Sequence, residues 1–153
     1  MHATSPPQDN LPPLEDCVPL LIARARMGVL RLLEAELAPL GVSTVQCMIL
    51  LRLSQGGGNT AGALSRFTGI DSGAMTRLLD RLAAKQLLAR SPDVKDRRSV
   101  RVVLTEHANA LVPELHACVR RVHDRLLPQR GQADVARFKD DLVDIINRTL
   151  PAA

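Results

Sequence analysis

The chain has 153 residues, 46% of them hydrophobic, which is enough for one domain with a real core and excludes a disordered polymer. Two Phe, no Tyr and no Trp leave that core to Leu, Val, Ile, Ala and Met, a composition that suits a mainly helical protein. The net charge of +4 is unevenly placed: from Arg66 to Arg101 nine Lys/Arg stand against four Asp, so the basic excess gathers on one stretch, as a polyanion partner requires.

Residues 1–13 are polar and carry Pro6, Pro7, Pro12 and Pro13, the composition of a flexible arm. Leu14, Val18, Leu21, Ala25, Val29 and Leu32 then repeat at helical spacing. They predict a helix from about Leu14 to Leu37, with Pro19 tolerated in its first turn and Pro39 and Gly41 ending it. Ser43 and Gln46 form a capping box ahead of a helix over Thr44–Leu53, apolar on most sides and so expected to be buried. GGGN at 56–59 breaks the chain, and Asn59 or Thr60 caps a short helix to about Phe67.

Gly69 turns the chain into Asp71, a good N-cap for a helix over 71–85. Two short helices joined by a tight glycine turn have the spacing of a helix-turn-helix. On the second, Met75, Leu78, Leu79 and Leu82 make one apolar stripe. Ser72, Thr76, Arg77 and Arg81 fall on the other side. Hydroxyls and arginines near a helix start suit the major groove of double-stranded DNA, where arginine grips phosphate or guanine. Two strands follow, LLARS and VRVVL, the second alternating with β-branched residues. Between them Pro92–Ser99 make a loop too long for a two-residue hairpin turn, a basic finger able to reach DNA beside the helix.

Thr105 caps a long helix to about Leu127, with a seam of Ala108, Leu111, Leu115, Val119, Val122 and Leu126 and a local kink expected at Pro113. Pro128 and Gly131 break it. A last helix over 132–150 carries Val135, Phe138, Leu142, Ile145 and Ile146 on one side. One protomer cannot cover the stripes of the first helix and the last two, so a twofold homodimer is expected. The chain divides into an arm (1–13), a dimerisation helix (14–40), a DNA-binding unit (41–104) and C-terminal dimerisation helices (105–153).

The helix DSGAMTRLLDRL, the hairpin with KDRRS and the following VVLTEHANAL together resemble the MarR family of winged helix-turn-helix transcription regulators, almost continuously over residues 43–116. The resemblance implies a mainly α fold with a minor β part, a winged helix-turn-helix flanked by N- and C-terminal dimerisation helices. It also implies a homodimer on a palindromic operator. Asp96 and Arg98 lie two apart on an extended segment, where an ion pair forms readily. Such an exposed pair contributes only about 0–1 kcal/mol, so orientation of the guanidinium toward the narrow minor groove is the better reason for it. The family's wing aspartate and second arginine play this part, and the resemblance carries those roles to Asp96 and Arg98. Lys95 and Arg97 are expected on phosphates. A small aromatic or phenolic effector, bound in the family between dimer helices and winged lobe, would be lined here by Leu21, Arg24, Ala25, Met48 and Met75, and would relieve repression.

The remaining chemistry-bearing residues point elsewhere only weakly. Cys17, Cys47 and Cys118 lack a CxxC pair, which suits a reducing cytoplasm better than disulfides or zinc. Cys17 sits near where peroxide-sensing members of the family carry a reactive cysteine, so a redox-sensing regulator is one alternative, although the tyrosines that assist such a cysteine are missing. His116 and His123 are two turns apart and cannot share a metal. No phosphate-binding glycine loop or nucleophile motif is present, so neither an enzyme nor a cofactor is expected. No apolar run is long enough for a membrane span, and no leader peptide opens the chain. A second alternative is a winged-helix module that binds a protein partner and does not read DNA.

Overall fold

The computed structural model describes residues 13–92 and 100–150. Six helices and a two-stranded antiparallel sheet follow in the order α1 (Val18–Leu37), a 3-10 turn (Ala38–Leu40), α2 (Thr44–Ser54), α3 (Ala61–Thr68), α4 (Ser72–Ala84), β1 (Leu88–Pro92), β2 (Val100–Leu104), α5 (Glu106–Leu126) and α6 (Gln132–Thr149). The winged helix-turn-helix expected from the sequence is the fold observed.

Local signals set most boundaries. At α2 both halves of the capping box form: the Ser43 hydroxyl accepts from the Gln46 amide at 3.3 Å, and Gln46 Oε1 accepts from the Ser43 amide at 3.2 Å. Thr60, Asp71 and Thr105 cap α3, α4 and α5 by accepting from the amides three residues on. Gly69 ends α3 in the left-handed conformation at φ 73°, where a side chain is strained. A Cβ there would also stand 3.0 Å from Leu150 Cδ2, because the chain end beyond α6 packs on this turn.

The first helix begins later than its periodicity suggests. Residues before Val18 form a turn closed by the Asp16 amide on the Pro13 carbonyl at 2.8 Å, and α1 starts with Pro19 in its first turn. A proline is tolerated there because its missing N–H would have no intrahelical partner, whereas a start at Leu14 would put it in the second turn. Pro92 belongs to the sheet rather than the loop: it pairs with Val100 at the end of β1, where a missing donor is cheap.

One core joins every element except α6. Leu37, Ile49, Leu50, Leu64, Met75, Leu82 and Leu115 have no exposed surface, and Leu88 and Val102 bring the sheet into the same cluster. The buried line of α5 is Ala108, Leu115, Cys118 and Val122, with Leu111 partly covered. Val119 and Leu126, expected in that seam, are exposed. The covered line steps by three and four through Cys118, which turns Val119 about 100° away, and Leu126 lies beyond the last buried residue. An Arg121–Glu36 ion pair at 2.7 Å ties α5 to α1 at the rim. Glu36 favours the charged form of Arg121 and so raises its pKa. No residue of α6 is buried.

Candidate nucleic-acid interface

The centre of the surface is α4. Its apolar residues Met75, Leu78, Leu79 and Leu82 are all buried, and at 3.6 residues per turn this forces Ser72, Thr76, Arg77, Asp80 and Arg81 outward. Asp71 Oδ1 accepts from the Ala74 amide at 2.9 Å and so fixes where the helix starts. Thr76 Oγ1 donates to the Ser72 carbonyl at 2.9 Å. Its proton is thus committed within the helix, while the oxygen lone pairs stay free to accept, for instance from an exocyclic base amine. Arg77 projects from the same face with an exposed guanidinium.

The wing is anchored to this helix at its base. β1 and β2 pair in register from Leu88 with Leu104 to Pro92 with Val100. A further bridge joins Thr60 to Arg101, and the Val102 amide donates to the Asn59 carbonyl at 2.8 Å, so the segment before α3 extends the sheet edge. Arg90 on β1 makes an ion pair with Asp80 on α4. The sequence does not mark this pair: strand and helix carry its members ten residues apart, beyond any short-range pattern. Ser72, Thr76, Arg77 and Arg81 are all exposed, with Thr76 on the sheet side of α4 beside Arg90, Val100 and Val102. Arg81 also borders a 430 Å³ cleft with Gln46 and Lys85 on the side of α2. The predicted wing residues Lys95, Asp96, Arg97 and Arg98 lie outside the described residues.

The sequence profile of the MarR family matches residues 42–100. The multiple antibiotic resistance protein MarR of Salmonella typhimurium is 36% identical over 86 residues, 56% of this chain; the match spans only 60% of that relative's length. The HTH-type transcriptional repressor Rv2887 of Mycobacterium tuberculosis is 32% identical over 128 residues, covering 82% of this chain and 92% of the relative. The chain belongs to the MarR family. A crystal structure of a mutant MarR from Escherichia coli complexed with operator DNA superposes with a TM-score of 0.75 at 29% identity, over 88% of this chain and 99% of the other.

Within this MarR-family fold, the residues expected around an effector are dispersed in burial. Leu21, Arg24, Ala25 and Met48 are exposed, whereas Met75 has no accessible surface and packs in the core, because it lies on the inward stripe of α4. Cys47 is core, and burial, then the neighbouring Cys118, push its thiol up to about 11. Cys118 is buried too and its Sγ donates to the Glu36 carbonyl at 3.3 Å. Cys17 is the half-buried N-cap residue of α1. Among the described residues no cluster of His, Cys, Asp or Glu has the makings of a metal site, and no single helix is long and apolar enough to cross a membrane.

Proposed function

We propose that this protein is a sequence-specific double-stranded DNA-binding repressor that works as a homodimer on a palindromic operator and is released by a small aromatic or phenolic ligand. The observation that carries the reading is the division of α4: one face is sealed into the core, and the other offers Ser72, Thr76, Arg77 and Arg81 beside the anchored base of a wing. Lys95, Asp96, Arg97 and Arg98 would complete the contact from the wing, with Arg98 in the minor groove and Asp96 orienting it. Similarity to a regulator whose crystal structure contains operator DNA supports the reading.

The dimer reading rests on uncovered apolar surface. Val18, Leu20, Leu21 and Ile22 of α1 and Phe138, Leu142, Val143, Ile145 and Ile146 of α6 are exposed in one protomer. A second copy would cover them, which assigns 14–40 and 105–153 to dimerisation and 41–104 to DNA. Twofold symmetry then sets the recognition helices about 34 Å apart, one turn of DNA. An effector beside Leu21, Arg24, Ala25 and Met48 would act by favouring a dimer whose recognition helices are wrongly spaced.

The test is selection of bound genomic fragments by the purified protein, followed by titration of operator and random duplex over a range of salt. An enriched inverted repeat and a steep log–log salt slope are expected. A slope near zero on every duplex would place the protein among winged-helix modules that bind other proteins. Phenolic acids that leave operator affinity unchanged would remove the effector part alone.

A further inference from the structure

We infer that Lys85 is a positioning residue: it fixes α4 along its own axis by tying the C-terminal end of the helix to the start of α2, and through it to α1. The inference rests on the DNA-binding reading above and names the tie that keeps its recognition face in register.

Lys85 is the C-cap residue of α4. Its Nζ donates to the Gly41 carbonyl at 2.6 Å and to Gln46 Oε1 at 3.1 Å. Two of the three ammonium donors are thus spent on the protein. Both acceptors are held from behind. Gly41 closes the 3-10 turn in the left-handed conformation at φ 64°, its own amide donating to the Ala38 carbonyl at 3.0 Å. Gln46 is buried, and the same Oε1 already accepts from the Ser43 amide in the α2 capping box. One residue further on, the Thr44 amide donates to Glu34 Oε1 of α1 at 2.8 Å. The proximity of Thr44, whose amide makes this bond, holds the Glu34 carboxyl below the usual carboxylate range. A continuous polar path therefore runs from Glu34 on α1 across the first turn of α2 to Lys85 on α4, along a 430 Å³ cleft that Arg81 also borders.

The path matters because the other polar contacts at α4 tie it to α3 and the sheet, not to α1 and α2. Met75, Leu78, Leu79 and Leu82 fix how deep the helix lies, but apolar contact is non-directional and sets the position along the axis less sharply than a hydrogen bond does. Hydrogen bonds are directional and lose strength within a few tenths of an ångström. Asp71 caps only α4's own amides, and the Asp80–Arg90 pair joins α4 to the sheet rather than to α1 or α2. Among the described residues, the Lys85 tie is the polar contact that references α4 to α1 and α2. Releasing it lets Thr76 and Arg77 shift relative to base edges, which costs specific binding far more than general attraction to phosphate.

The experiment compares wild type, Lys85→Met and Lys85→Arg. It measures affinity for the selected operator and for random duplex across salt, together with melting temperature. In Lys85→Met, operator affinity should fall about tenfold while random-duplex affinity stays within about twofold, with the salt slope unchanged. Lys85→Arg, which keeps a donor of similar reach, should recover most of the loss. Equal weakening on both duplexes with a salt slope reduced by about 1 would make Lys85 a phosphate contact and overturn the inference. So would an unchanged operator affinity, or a collapse in melting temperature that marks a merely structural residue. A wild-type protein that binds no duplex at all fails the DNA reading itself, and the inference with it.

Discussion

Asp80 on α4 and Arg90 on β1 accept and donate one charge-assisted hydrogen bond across the helix–hairpin junction. Both side chains are about half exposed, at 55% and 53%, so the pair is screened and contributes at most about 1 kcal/mol to folding. Its consequence is geometric: it fixes the angle at which the wing leaves α4. Asp80→Asn should therefore leave the denaturation midpoint nearly unchanged and weaken operator binding several-fold. Exchanging the two charges, Asp80→Arg with Arg90→Asp, should restore it. Chemical denaturation and fluorescence anisotropy on the operator check both halves, and a loss of stability without a loss of affinity would contradict the geometric role.

Arg77→Ala tests the exposed face of α4 directly. An arginine that reads a base edge is worth about 1–3 kcal/mol and carries preference at one position of the site. The variant should lose affinity by that amount and relax specificity there, as seen by repeating fragment selection. Arg98→Ala should cost a similar amount per half-site with a shallower salt dependence, because a wing guanidinium in the minor groove meets a strong negative potential. Unchanged affinity in both variants would leave the basic stretch without its proposed partner.

How far the sequence foretold these relationships depends on their range. The Ser43–Gln46 box, the Thr60, Asp71 and Thr105 caps and the Gly69 turn were legible because each is settled within three or four residues. The inward stripe of α4 was legible because one apolar face has one place to go. The Asp80–Arg90 and Lys85–Gly41 ties were not, since they join residues 10 and 44 positions apart whose approach is set by packing. The α5 seam shows the same limit: Val119 and Cys118 are equally good by periodicity over part of the helix, and only the placement of α1 and α2 selects Cys118. Met75 met the opposite fate, since the stripe that identifies it as core is what withdraws it from a ligand.

Alkaline pH gives a prediction with a definite sign. Burial, then Cys118, raise the Cys47 thiol to about 11 from an ordinary value of 9.0. Between these values the folded protein keeps a proton that the unfolded chain has lost, so stability is intact below pH 9 and falls as pH rises toward 11. This one group contributes a slope of at most about 1.4 kcal/mol per pH unit. Cys47→Ala should lower stability at neutral pH by leaving a small cavity, and flatten the alkaline limb of the curve. Thiol-labelling reagents at pH 8 should modify half-buried Cys17 well before Cys47 or Cys118. Denaturant titrations at a series of pH values, with mass spectrometry of labelled peptides, check both statements.

The proposed homodimer can be tested at α6, because no residue of this helix is buried in the protomer. Ile146 is 50% exposed and Leu142 39% exposed on one apolar side of it, so a charge placed there costs the isolated protomer little. In a dimer the same charge would be buried without a partner, a penalty of several kcal/mol. Ile146→Glu should therefore keep its helical circular dichroism, sediment as a monomer at micromolar concentration and lose most operator affinity, since a single half-site forfeits the second recognition helix. Val135→Glu is a useful companion, because Val135 is partly covered beside the α5–α6 corner and borders the 540 Å³ cleft there with Arg130 and Lys139. Substitution at that corner disturbs how α6 leaves α5 rather than the middle of its uncovered stripe. If Ile146→Glu stays dimeric by sedimentation equilibrium, α6 is not the interface, and the uncovered residues of α1 become the surface to test next.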